Sequence, residues 1–429
     1  MWRNPARVLV LFAAALFALQ AEIAVADPVI LAPAEPNEVG FSTEGLAALE
    51  AYIRERIDTG VVPGAVVYLS RHGKTVLFNG YGARSVGGSP MARDTIFRAY
   101  SMTKPVTALA MMILYEEKKW RLDEPITKYI PELANLKVFR SLGADGKPVL
   151  ENVKRPPTMR ELMTHTAGFA YGLAPTDYVN KAYQDEKLLL RRDFGEFVAT
   201  LARLPLAEQP GERWIYSVAS DLQGYIVEKL SGEPLDVFFK KRIFDPVRMV
   251  DTGFFVPAAQ AHRLPPIYGR DLKDGKLVDV STFAGDYSKP PTLPLGGGGL
   301  VTTTSDYARF CQLLLSGGEI DGARIVSADT IKLMGTNLLP RDVWVSFDGA
   351  GGAVERKGLG FGLGVAVLVD PAAQDTPQAE GTIGWGGAGG TFFWVDRKND
   401  LFFVLMIQRA LGYEHFGDRP RRLVYDALK

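Results

Sequence analysis

Ser101-Met102-Thr103-Lys104 places a hydroxyl and an amine one helical turn apart. Residues at i and i+3 share a helix face, so the amine can reach the hydroxyl and raise its nucleophilicity without a histidine. The pair sits where the strand-like run 95–100 gives way to the helix-like run 106–115. Pro105 is tolerated in the first helical turn, because the N–H it lacks would have no partner there. A helix N-terminus adds unpaired backbone N–H groups and a positive dipole end, both suited to a developing oxyanion. Together these features describe a serine arranged for acyl transfer. Taken alone, the motif equally describes a capping serine followed by a solvated lysine.

Two further pieces bear on that choice. Tyr216 precedes a helix expected from about Ala219. A phenol serves as a base only if a nearby cation lowers its pKa, and Lys104 is the candidate cation. Trp385-Gly386-Gly387-Ala388 opens the Gly-rich approach to a strand expected over 391–395. Glycine there lets a substrate lie close to the strand edge. The plain alternatives are a half-buried aromatic for Tyr216 and a glycine-rich turn for the Trp385 segment.

The elements that must position these residues are legible from pattern. A helix is expected over 41–58, capped by Ser42 or Thr43, and strands over 64–70 and 74–81 around Arg71-His72-Gly73. The middle of the chain reads as mostly helical and loop-rich. Helices are expected from Thr158, whose capping box uses Glu161, and over 193–203, 219–230 and 236–243. Residues 257–294 read as long surface loops. Strand character returns over 359–369, 391–395 and 401–408, and a last helix over about 417–428. An α+β fold follows: an antiparallel sheet built from both ends of the chain, flanked by helices, with a mostly helical insert. The expected division is 27–100 with 295–429 as the α/β part and 101–294 as the helical part. The site should lie at their junction.

Composition excludes several function classes. The chain has 429 residues, 47% of them hydrophobic, which is enough for two packed units. Lys+Arg and Asp+Glu both total 49, so nothing points to nucleic acid or an anionic membrane. Arg3 and Arg7, an apolar stretch over 8–19 and Ala24-Val25-Ala26 have the form of a secretory signal peptide over 1–26. A periplasmic or secreted protein without a membrane anchor after processing is expected. Cys311 is the single cysteine and lies in a helix-like apolar stretch, as a buried small hydrophobe would. The four histidines are scattered, with no metal-ligand spacing. Gly384 to Gly389 spells a dinucleotide fingerprint but leads into a strand rather than a helix. No serine lies in a Gly-x-Ser-x-Gly elbow.

The three pieces together resemble the serine β-lactamase and penicillin-binding-protein superfamily, most closely class C β-lactamases and the family VIII carboxylesterases. Phe97-Arg98-Ala99-Tyr100-Ser101-Met102-Thr103-Lys104-Pro105 is similar to the nucleophile motif of those esterases. His165-Thr166-Ala167-Gly168 resembles their His-Thr-Ser/Ala-Gly segment. The stretch 296–303 with Ser305-Asp306 resembles the Gly-rich segment before their late helix. Order and spacing match across nearly the whole chain after residue 26. The resemblance implies that Ser101 is the nucleophile and that Lys104 and Tyr216 activate it. It also implies an oxyanion hole from the N–H groups of Ser101 and Ala388. Trp385, Gly386 and Gly387 would then contact the substrate, and Phe169, Tyr171 and Trp214 would line its pocket.

Two departures narrow the expected substrate. The family's Tyr-x-Asn becomes Tyr216-Ser217-Val218, and its Lys-Thr-Gly becomes Trp385-Gly386-Gly387. Without that lysine a substrate carboxylate would enter a partly dry cleft unpaired, at high cost. A cofactor-free carboxylesterase of short-chain, uncharged small-molecule esters is the expectation. A D-alanyl-D-alanine carboxypeptidase or class C-like β-lactamase is the alternative. A non-catalytic homologue that binds peptidoglycan is the second alternative. Nothing in the sequence points to an oligomeric state.

Overall fold

The computed structural model describes residues 31–429 apart from 174, 176, 350, 351 and 411–415. The expected leader, residues 1–26, lies outside the described residues. Seven strands form the main sheet: β1 (Gly64–Arg71), β2 (Lys74–Gly82), β3 (Leu359–Phe361), β4 (Ala366–Leu368), β5 (Ile383–Gly386), β6 (Phe392–Asp396) and β7 (Leu401–Ile407). Their order is β3-β4-β5-β6-β7-β1-β2, and every neighbouring pair is antiparallel. The two ends of the chain join at the β1–β7 pairing, from Ala65 opposite Ile407 to Arg71 opposite Leu401. The sheet assembled from both ends is therefore present.

β7 reads Leu-Phe-Phe-Val-Leu-Met-Ile because helices cover both faces of it. Side chains alternate across a strand, so Leu401, Phe403 and Leu405 share one face with Val67 and Leu69 of β1. Helices α1 (Thr43–Asp58) and α5 (Arg419–Asp426) cover that face through Leu49, Ile53, Leu423 and Val424. Phe402, Val404 and Met406 point the other way, with Val66 and Tyr68, into the larger core. That core includes α2 (Thr103–Glu116), α3 (Ala219–Ser231) and α4 (Thr304–Leu315). Every residue from Thr103 to Leu114 of α2 is buried, Lys104 among them. A helix apolar on all sides belongs in a core, and this one carries Lys104 into it. Phe402 is fully buried and stacks on Tyr68 with ring centroids 5.8 Å apart. Phe402→Ala is expected to lower unfolding free energy by about 3–5 kcal/mol in chemical denaturation, through lost burial and the cavity left behind.

The structure corrects several expected elements. The run 95–100 contributes only the strand Ile96–Arg98, which pairs with Val301–Thr303 outside the main sheet. The run 359–369 is a hairpin of two strands, because the chain reverses at 362–365 with Gly364 at φ +80°. Trp385 does not sit on an approach to the next strand but within its own strand, β5, opposite Phe393 of β6. The middle block also contains hairpins: Lys137–Leu142 with Pro148–Asn152, and Tyr268–Arg270 with Leu277–Asp279 inside the supposed loops 257–294. Their exposed, polar-rich strands carry too little apolar alternation to announce a strand.

Candidate active site

Ser101 lies in a single 3-10 turn, Tyr100–Met102, that runs directly into α2. The approach is tightly held. Ala99 N–H donates to Leu300 O at 2.9 Å, and Met102 N–H donates to Ala99 O at 3.0 Å. Tyr307 Oη donates to Met102 O at 2.9 Å. Tyr100 occupies the left-handed region at φ +44°, rare for a bulky residue and costing about 1–3 kcal/mol. That sharp turn separates the strand Ile96–Arg98 from the helix and presents Ser101 at the helix start.

Lys104, one turn on, has an acceptor for each of its three ammonium hydrogens. They are Gly297 O at 2.6 Å, Tyr171 Oη at 3.2 Å and Ser101 Oγ at 3.4 Å. Its Nζ also lies 4.9 and 4.5 Å from the ring centroids of Tyr171 and Tyr216, within cation–π range. The Tyr216 hydroxyl donates to Ser101 Oγ at 2.5 Å. Lys104, one turn away, and Tyr216, 115 residues on from the serine, thus converge on the Ser101 oxygen.

The segment carrying Tyr216 is pinned by the His165 region. Gly211 N–H donates to Thr166 O and Ile215 N–H to His165 O, both at 2.8 Å, and Val218 N–H donates to Ala170 O at 3.1 Å. His165 pairs through Nδ1 with Ser217 Oγ at 2.9 Å. Burial and the Lys104 charge hold its pKa well below the ordinary histidine value, so the ring is neutral. The hydrogen bonds of His165 hold the Tyr216 segment in place and, among the described residues, none goes to Ser101. The Tyr216 ring stacks between Tyr171 (5.1 Å) and Trp214 (6.0 Å), and Trp385 meets it at 5.7 Å. Phe347 and Phe361 complete this aromatic wall, 6.0 and 5.3 Å from the Trp385 ring.

Gly387 and Ala388 form the turn after β5. A methyl built on Gly387 would meet Ala99 O at 2.3 Å, so only glycine lets this turn lie against the serine's own turn. Ala388 is exposed, and its N–H makes no hydrogen bond to another described residue. The Gly386 side of the turn is tied back by Gly387 N–H to Thr391 O at 2.7 Å.

Other expected pocket residues fall differently. Tyr171 is buried and bonded to Lys104, a polar partner rather than a wall. Trp214 is buried behind Tyr216. Phe169 is fully buried in the main core and, among the described residues, makes no ring contact with the aromatic wall. The expectation that Phe169 lines the pocket is therefore corrected: its ring packs in the core. Two residues were not anticipated. Gly297 supplies the carbonyl that receives Lys104, and Asp221 of α3 accepts the Gly297 N–H at 2.8 Å. Gly297 lay in a glycine-rich stretch with nothing to single it out. Asp221 looked like an ordinary first-turn acid of a helix. Among the described residues no group of three or more His, Cys, Asp or Glu is placed to hold a metal ion. No described helix is long and apolar enough to cross a membrane.

A mixed α/β fold with this antiparallel sheet and these flanking helices is the β-lactamase/transpeptidase fold. The family model described as Beta-lactamase matches residues 49–427, and the chain belongs to that family, within a serine hydrolase superfamily. Protein Rv1367c of Mycobacterium tuberculosis is 38% identical over 370 residues, covering 84% of this chain and 89% of that one. Esterase EstB of Burkholderia gladioli is 31% identical over 395 residues, covering 88% and 94%. Among solved structures, EstCE1, a hydrolase with promiscuous acyltransferase activity, superposes with a TM-score of 0.71 at 26% identity, covering 90% and 98%. Within the superfamily, the likeness to EstB and EstCE1 supports a relationship to family VIII esterases.

Proposed function

We propose that the chain is a serine carboxylesterase that cleaves short-chain, uncharged esters through an acyl-enzyme on Ser101. The observation that carries this is the convergence of Tyr216 Oη and Lys104 Nζ on Ser101 Oγ, at 2.5 and 3.4 Å. In this reading Tyr216 acts as the base in its phenolate form, with the Lys104 ammonium 4.5 Å from its ring, and the hydrogen bond then runs from Ser101 to Tyr216. Ser101 Oγ then attacks the ester carbonyl while its proton moves to the phenolate. The Ser101 and Ala388 N–H groups hold the oxyanion, and Tyr216 returns the proton to the leaving alcohol. Water attacks the acyl-enzyme by the same steps in reverse.

Substrate class follows from the wall. Trp385 stands on β5 at the position of the lysine in the superfamily's Lys-Thr-Gly motif, which would face a substrate carboxylate. Around it lie the rings of Trp214, Phe347 and Phe361; the cations at this wall, Arg356 over the Phe347 ring and Lys104 over the Tyr216 ring, lie against other rings than that of Trp385. A carboxylate brought against Trp385 itself would lose its hydration and meet an aromatic face in place of an ammonium. p-Nitrophenyl butyrate is expected to be hydrolysed at least about 100-fold faster, in kcat/KM, than nitrocefin, a carboxylate-bearing β-lactam. Comparable turnover of the two would sink the preference for neutral esters. Acyl transfer to an alcohol other than water is a second reading, supported by the activity named for EstCE1. Export to the periplasm or medium, with cleavage after Ala26, is proposed from the sequence pattern of residues 1–26. Mass spectrometry of the mature N-terminus reads it directly.

A further inference from the structure

Asp221 is fully buried on the first turn of α3 and is tied to the serine's machinery without touching the serine. Its Oδ1 accepts the Gly297 N–H at 2.8 Å, while Gly297 O accepts Lys104 Nζ at 2.6 Å. Its Oδ2 is buried and has no hydrogen-bond partner. A methyl built on Gly297 would lie 2.6 Å from Asp221 Oδ2 and 2.9 Å from Tyr171 Oη, so carboxylate and phenol face the same spot. Lys104, Tyr171 and Asp221 therefore enclose Gly297. Among the described residues Lys104 makes no ion pair with any carboxylate, though it is fully buried. A buried ammonium needs a counter-charge, and Asp221 is the acid whose electrostatic partner is Lys104.

We propose that Asp221 is a positioning residue for Lys104: its carboxylate is the buried counter-charge that, through Gly297 and beside Tyr171, keeps the ammonium aimed at Ser101. This rests on the esterase reading above. The groups facing Asp221 are Lys104 from α2, Tyr171 and the Gly297 N–H. Tyr216 stacks on Tyr171 at 5.1 Å, and the Lys104 charge also acts on His165. Burial opposes the charge of Asp221 and raises its pKa to about 6, against the lowering effect of Lys104 and the Gly297 N–H. The counter-charge is therefore half formed near pH 6, grows as pH rises above it and is lost as pH falls below it. Removing the anion takes away a charge that raises the Tyr171 pKa, so the alkaline limb of the pH profile moves to lower pH.

The test uses the full protein and two readouts, p-nitrophenyl butyrate hydrolysis and the rate at which a fluorophosphonate labels Ser101, from pH 5 to 10. Asp221→Asn is close in size and removes the charge. A fall of about 10- to 100-fold in kcat with KM changed less than threefold is expected. The wild-type limb near pH 6 is expected to vanish and the alkaline limb to move down. Asp221→Ser, smaller than the native residue, serves if the Asn variant does not fold. Wild-type rates, or a uniform loss with an unchanged pH profile, would overturn the proposal by reducing Asp221 to a structural residue. Labelling of wild-type Ser101 without ester hydrolysis would sink the esterase reading alone, and the labelling rates would still decide the role of Asp221. An unlabelled wild-type serine would overturn both.

Discussion

Ser101→Ala is expected to lower kcat for p-nitrophenyl butyrate by about 10^4- to 10^6-fold while leaving KM within a few-fold of wild type. Ser101 Oγ is the atom on which Tyr216 and Lys104 converge, so its removal leaves an aromatic pocket and N–H donors but no group to accept the acyl chain. What survives is binding and oxyanion stabilisation. The expected fold cost is small, because the serine side chain caps nothing: its turn is held by Ala99, Met102 and Leu300 backbone groups. Thermal unfolding of the variant should lie within a few degrees of wild type, and labelling by fluorophosphonate should vanish. A variant that retains more than a tenth of wild-type kcat removes Ser101 from the mechanism. No compensating nucleophile is at hand, since Cys311 is fully buried and burial pushes its thiol pKa well up.

How much of this arrangement could be read from the chain depends on whether a residue's job is local. The i, i+3 spacing of Ser101 and Lys104 is a property of any helix, so the pair was visible before its surroundings were. The capping box of Thr158 and Glu161, the cap at Ser42 and the hairpin at Arg71-His72-Gly73 are local in the same sense, and all are present. Tyr216 required a family pattern, because nothing local marks a phenol that will reach a serine 115 residues away. Residues defined by packing were the least legible. Phe169 and Trp214 are both apolar neighbours of motif residues, but one points into the main core and the other stacks behind Tyr216. Gly297 and Asp221 are defined only by the three-dimensional meeting of α2, α3 and the 296–299 turn. A glycine among four and an acid in a helix's first turn carry no sequence signature of that meeting. The placement of Trp385 failed for a related reason. β5 is only four residues long and two of them, Gly384 and Gly386, are glycines, so its strand character comes from its partners on both sides rather than from propensity.

The second large effect concerns whether Lys104 and Tyr216 act as one unit. Tyr216→Phe keeps the ring stacked between Tyr171 and Trp214 and removes only the hydroxyl 2.5 Å from Ser101. Its kcat is expected to fall about 10^2- to 10^4-fold, the usual worth of a positioned proton-transfer group. Lys104→Met keeps much of the side-chain volume and removes the charge that favours the phenolate; a similar loss is expected. If the lysine works by making Tyr216 a better base, removing both groups should cost little more than removing one. The double variant is then expected within about tenfold of the worse single, as for catalytic groups that function together. If each group abstracts a proton on its own, the losses multiply and the double variant sinks toward the level of Ser101→Ala. The geometry favours the first outcome. Lys104 is farther from Ser101 Oγ than Tyr216 is, and its shortest bond goes to Gly297 O rather than to the serine. On the proposed mechanism Lys104 then sets the charge around the phenol, and the proton of Ser101 passes to Tyr216.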